Sequence, residues 1–155
     1  MNNYEKLLDE YTKEKVDIID YQFNSDKIKG LYCDGTIALN ENLNTTSEKV
    51  SVLAEELGHH YTTVGDIIDQ TNVSNRKQEL RARLWAYNKM IGLTGIIRAY
   101  ENGCCSCYEM ADFLDVTEAF LLEAIECYKT KYGPYAQIDN YAIYFEPLGV
   151  LRINL

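Results

Sequence analysis

The segment 45–61, TTSEKVSVLAEELGHHY, constrains the fold more than any other stretch of the chain. Thr45 and Glu48 stand three residues apart, the spacing of a capping box in which each side chain satisfies a backbone N–H at a helix start. On a 100° wheel Val50, Leu53, Ala54, Leu57 and Tyr61 fall in one stripe, so a helix begins here and buries that stripe in a core. On the opposite side Glu55 and His59 sit at i and i+4, one above the other, with Glu56 on the flank beside them. His60 lies nearer the edge of the core stripe and reads as a histidine hydrogen-bonded to backbone.

Such a helix needs a surface to lie on. Upstream, Tyr4, Leu7, Leu8 and Tyr11 recur at helical spacing within residues 3–15, and residues 16–23 (VDIIDYQF) read as a strand. Residues 27–32 and 36–39 flank Asp34-Gly35, the dipeptide favoured in a tight hairpin turn. The first forty residues thus predict a short helix and a small antiparallel sheet. Downstream, a second helix is expected over residues 75–91, entered through the polar loop DQTNVSN. Three more follow over 93–101, 107–114 and 117–131. Residues 141–145 and 150–153, joined by Pro147-Leu148-Gly149, close the chain as a terminal hairpin or an edge extension. A length of 155 residues with 46% hydrophobic content supports a real core. The expectation is one α+β domain over residues 1–155, with a sheet and a helix pair in 1–92, a helical part in 93–133 and terminal strands in 134–155.

The net charge of −9 argues against broad binding to nucleic acid or to an anionic membrane. Residues 108–117 have the look of a helix-turn-helix, with a short turn before a helix capped by Thr117. Residues 100–130, however, carry seven acids (Glu101, Glu109, Asp112, Asp115, Glu118, Glu123 and Glu126) against the single base Lys129. A recognition helix offering Glu118, Glu123 and Glu126 would repel phosphates, so the unit reads as a degenerate motif for packing or protein docking. No run approaches 18 consecutive apolar residues, and the polar N-terminus MNNYEKLLDEYTKEK lacks a signal-like apolar region. The five cysteines are odd in number and without framework spacing, which fits reduced thiols in a cytoplasmic protein. Cys104, Cys105 and Cys107 lack a second C-x-x-C or a nearby histidine to complete a zinc site.

The chain has only two histidines, and they are adjacent, pointing about 100° apart on a helix. Three-histidine zinc sites and an intact H-E-x-x-H are therefore excluded by counting. What segment 45–61 offers instead is the layout of a zincin helix with its first histidine replaced by glutamate.

The stretch VLAEELGHHYTTVGD resembles the active-site helix of the ImmA/IrrE family of metallo-endopeptidases, found on mobile elements and phages. Residues 78–86, QELRARLWA, resemble that family's second helix, which carries a glutamate ligand, and KGLYCDGTIALNENL resembles the hairpin before the active-site helix. The likeness covers residues 16–92 well and the helical half more loosely. It implies Glu55, His59 and Glu79 as ligands of a divalent metal, and Glu56 as the general base that takes a proton from water and passes it to the leaving amine. Two carboxylates and one imidazole make a less positive centre than two histidines and a glutamate, and shift preference toward harder ions. Zinc is the first expectation, with Mn²⁺ or Fe²⁺ as alternatives. Glu79 lies twenty residues beyond His59, room for a loop and a returning helix, and Ala82 and Ala86 on its face would let the two helices approach closely. Asp66 is a rival third ligand, since Gly65 can turn the chain back, and ranks below Glu79. His60 is a possible auxiliary group for an oxyanion. The implied substrate is a helix-turn-helix repressor, cleaved so that a mobile element's genes are released. The alternative is a non-catalytic descendant that binds such a repressor without cutting it.

Overall fold

The computed structural model describes residues 1–62 and 72–153. These form six helices and two three-stranded sheets in two compact units, Met1–Ala86 and Tyr87–Leu155.

The first unit opens with α1 (Asn3–Lys13). Asn2 caps it by accepting the Glu5 N–H at 2.8 Å, while the Glu5 carboxylate accepts the Asn2 N–H at 3.0 Å. The helix ends where Lys15 takes a positive φ of 67° and the Val16 N–H reaches back to the Tyr11 carbonyl at 3.0 Å. That closure buries Val16 beside Leu7 and Tyr11 and launches β1 (Asp17–Tyr21).

Strands β2 (Gly30–Cys33) and β3 (Thr36–Asn40) form the hairpin expected from Asp34-Gly35. Both turn residues have positive φ, 49° and 83°, the geometry that matches the twist of a two-residue hairpin. β1 joins the other edge of β3 in parallel, Ile18 opposite Ile37, so this sheet is mixed rather than purely antiparallel. The chain between β1 and β2 must cross the end of β3, and buried Asn40 anchors it. Its side chain donates to the Ile28 carbonyl at 2.8 Å and accepts the Asn42 N–H at 2.9 Å.

α2 (Thr46–Thr62) starts at the predicted cap, where Thr45 Oγ1 accepts the Glu48 N–H at 3.1 Å. Val50, Leu53, Ala54 and Leu57 are fully buried, as the wheel requires. Tyr61 is not: it is 40% exposed, stacks on Trp85 at 5.3 Å between ring centroids, and donates its hydroxyl to Glu14. A tyrosine at the end of the stripe can lay its ring on a neighbour and leave its hydroxyl wet. α3 (Asn72–Met90) begins three residues before the expected position and buries Ala82 and Ala86 completely.

The second unit contains α4 (Gly92–Glu101), α5 (Cys107–Leu114) and α6 (Glu118–Tyr132), with an antiparallel sheet of β4 (Tyr135–Ile138), β5 (Tyr141–Phe145) and β6 (Leu148–Arg152). β4 turns the expected terminal hairpin into a three-stranded sheet. α5 stops at Asp115 in the left-handed region (φ 56°), Val116 is buried, and Thr117 Oγ1 caps α6 by accepting the Phe120 N–H at 3.1 Å. The core gathers Ile96, Leu121, Tyr128, Ile143 and Phe145. Tyr128 donates to Asn88 at 2.9 Å. Among the described residues, no helix is long and apolar enough to cross a membrane.

Candidate functional site

Two columns of side chains run along α2. Glu55 and His59 form one, Glu56 and His60 the other, each pair one turn apart. All four are half-buried. The elements packed against α2 on either side decide what each column meets.

The first column meets α3. Gly58 lies where the two helices cross, since a Cβ built on it would stand 2.1 Å from the Ala82 carbonyl oxygen. Only a residue without a side chain permits that approach, and a helix-interior glycine normally costs about 1 kcal/mol against alanine. The close crossing brings Glu79 to His59, with His59 Nε2 3.5 Å from Glu79 Oε1. Two ligands bound tetrahedrally at about 2.0–2.2 Å from one ion stand about 3.4 Å apart, so the spacing of this pair suits joint coordination. Glu55, the third expected ligand, does not complete the set. Among the described residues, no three His, Cys, Asp or Glu side chains gather into a group that could hold a metal ion. The donors therefore fit a divalent ion at two of three positions.

The second column meets β2. Gly30 leaves room for it, as a Cβ there would stand 2.7 Å from Val52 Cγ1 and 3.1 Å from Glu56 Cγ. In the β2–β3 hairpin, Cys33 and Thr36 flank the two-residue turn, so Tyr32 directs its N–H away from β3. That N–H donates to the Glu56 carboxylate. Burial nonetheless pushes the Glu56 carboxyl up to about 7, with the neighbouring charges of Glu55 and Glu79 adding to the rise and the Tyr32 N–H opposing it. A carboxyl poised near neutrality can take a proton and return it, which is what general-base chemistry asks.

His60 differs from its expected setting. Its Nδ1 lies 3.0 Å from the Tyr32 hydroxyl, a side-chain partner instead of backbone. The same hydroxyl accepts the Gly35 N–H at 3.2 Å. The imidazole stands edge-on to both the Tyr32 and Tyr61 rings, with centroids at 5.3 and 4.8 Å. Asp66, the rival ligand, lies outside the described residues.

Three contributors escaped the sequence reading: Gly58, Gly30 and Tyr32. Gly58 carried a usable signal, being a glycine inside an otherwise good helix pattern, which marks a packing constraint. Gly30 and Tyr32 carried none, because their importance comes from a helix that begins sixteen and fourteen residues further along the chain. In the second unit the acids of α6 are on the surface, with Glu118, Glu123 and Glu126 all exposed.

The family model of Peptidase_M78, described as the IrrE N-terminal-like domain, matches residues 11–126. No curated protein and no solved structure matches the chain.

Proposed function

Because the chain belongs to the IrrE N-terminal-like family of metallopeptidases, we propose that it is a metal-dependent endopeptidase working in the cytoplasm. Its substrate in this reading is a helix-turn-helix repressor of a mobile element or prophage. The observation that carries the reading is the facing pair of His59 and Glu79, with Glu56 in the adjacent column of the same helix. His59, Glu79 and Glu55 would hold the divalent ion, zinc first and Mn²⁺ or Fe²⁺ next. When bound, such an ion polarises a carbonyl and makes water a stronger acid at neutral pH. Glu56 accepts the proton of the attacking water and delivers it to the departing amine nitrogen, steadied by the Tyr32 N–H. The acidic surface of the second unit favours a protein partner over nucleic acid.

The experiment combines metal analysis with co-expression of the chain and the repressor of the element that encodes it. Purified protein is expected to carry one divalent ion, lost in a Glu79→Ala variant. Glu56→Gln should keep the ion and abolish cleavage; retained cleavage would reassign the base. The second reading, a binder that does not cut, is favoured by Glu55 in place of the usual first histidine. A stable complex with the repressor, no bound ion and no cleavage would select it.

A further inference from the structure

Tyr32 touches both members of the second column, Glu56 through its main chain and His60 through its side chain. Its phenolic oxygen already accepts the Gly35 N–H. One lone pair of such an oxygen is delocalised into the ring, so it accepts a second hydrogen bond poorly. The hydroxyl proton then has one evident destination, Nδ1 of His60 at 3.0 Å. An imidazole that accepts at Nδ1 while neutral carries its proton on Nε2. That N–H lies across the ring from Tyr32. The edge-on rings of Tyr32 and Tyr61 hold the imidazole plane in place. His60 sits one helical turn from Glu56 on the same column, with Cβ atoms about 5–6 Å apart at that spacing. A carbonyl whose carbon lies near the base can therefore place its oxygen near the histidine.

We propose that His60, fixed by Tyr32 as the Nε2–H tautomer, donates a hydrogen bond to the carbonyl oxygen of the scissile peptide, with Tyr32 as its positioning residue. The proposal rests on the peptidase reading and assigns two residues within it. Donation to the oxygen as it gains negative charge stabilises the transition state more than the ground state, so the effect falls on kcat.

Two measurements test it, one of them independent of activity. Nitrogen-15 spectra of the histidine side chains should show His60 protonated at Nε2 and bare at Nδ1, and Tyr32→Phe should move the Nδ1 shift. A wild-type His60 protonated at Nδ1 overturns the proposal. For activity, the metal-loaded protein is incubated with a degenerate peptide library read by mass spectrometry, and a cleaved peptide is then used for kinetics. His60→Ala is expected to lower kcat by roughly 100-fold, the scale of losing one oxyanion donor, with KM little changed. Tyr32→Phe keeps the N–H to Glu56 and should lose less. The double variant should be no worse than His60→Ala alone, because Tyr32 acts through His60. Additive losses would make Tyr32 a merely structural residue and refute the assignment. Cleavage of nothing by the wild type overturns the peptidase reading and the role of His60 with it. The nitrogen shifts still decide separately whether Tyr32 sets the tautomer.

Discussion

Gly58→Ala is the sharpest test of how the first unit is built. At an ordinary helix position, exchanging glycine for alanine stabilises by about 1 kcal/mol. At Gly58 the added methyl carbon would stand 2.1 Å from the Ala82 carbonyl oxygen, 2.9 Å from its carbonyl carbon and 3.1 Å from its Cα. These are backbone atoms of a helix, so no side-chain rotation relieves them. Reaching even 3.0 Å requires the helices to part by about 0.9 Å. Overpacking of this kind costs about 1–3 kcal/mol, and parting α2 from α3 also loosens the contacts of buried Ala82 and Ala86. With the obstacle at backbone atoms the propensity gain is outweighed, and a net loss of about 1 kcal/mol, reaching about 2 at the upper end of the overpacking cost, is expected. The assay is urea unfolding followed by fluorescence of Trp85, the single tryptophan, which stacks on Tyr61 within the same unit. Gly95→Ala in α4 is the control by circular dichroism. Its nearest contact would be the Leu114 side chain at 3.5 Å, an ordinary distance, so it should be neutral or stabilising. A Gly58→Ala protein as stable as wild type would refute the close crossing, and with it the reason that Glu79 meets His59.

Two further predictions concern the same helix. Glu56→Gln, in protein stripped of metal by a chelator, should raise stability at pH 8 and leave it unchanged at pH 4. The folded-state carboxyl sits at about 7 against an ordinary 4.5, so folding favours its protonated form. That preference is fully present below about 4.5 and is lost as pH rises through 7. Glutamine escapes the loss, a gain of about 2 kcal/mol after discounting for partial exposure. An equal gain at both pH values in urea titrations would disprove the shift. Thr45→Ala removes the acceptor for the Glu48 N–H and should cost about 1 kcal/mol by the same unfolding assay, with Thr45→Ser restoring most of it.

Local chemistry was legible where a few neighbouring residues decide the outcome. Asp34-Gly35 fixed a turn whose two positive φ values few other dipeptides tolerate. Thr45 and Thr117 each announced a helix start, and residues 107–114 stood out as a helix with its true ends. Partnership was less visible. A strand's alternation says which face is buried but not which neighbour it pairs with, so the parallel seating of β1 on β3 could not be read from residues 16–23. β4 is four residues with one buried side chain, Ala136, too short to separate from the loop around it. The candidate site followed the same division. The column of Glu55 and His59, with Glu56 beside it, was readable from the wheel of α2, whereas His60 joins Glu56 in a second column, and Tyr32 matters, only because the hairpin aims its N–H and its ring at a helix that follows.

The two glycines explain why one helix can serve two partners. Gly58 lets α3 close on the column of Glu55 and His59, and Gly30 lets β2 close on the column of Glu56 and His60. The obstacles at the two positions differ in kind. At Gly58 a methyl meets backbone, whereas at Gly30 it meets Val52 Cγ1 at 2.7 Å and the Glu56 side chain at 3.1 and 3.3 Å, groups that rotate. Gly30→Ala should therefore fold with a modest loss of about 1 kcal/mol while turning Glu56 from the Tyr32 N–H. Gly58→Ala should instead part His59 from Glu79 and leave the second column near its place. If metal affinity falls in Gly58→Ala but not in Gly30→Ala, holding the ion and moving the proton belong to separate faces of α2. Equal loss of metal in both would mean that the columns act as one unit, and that the division of labour drawn from the helix packing is mistaken.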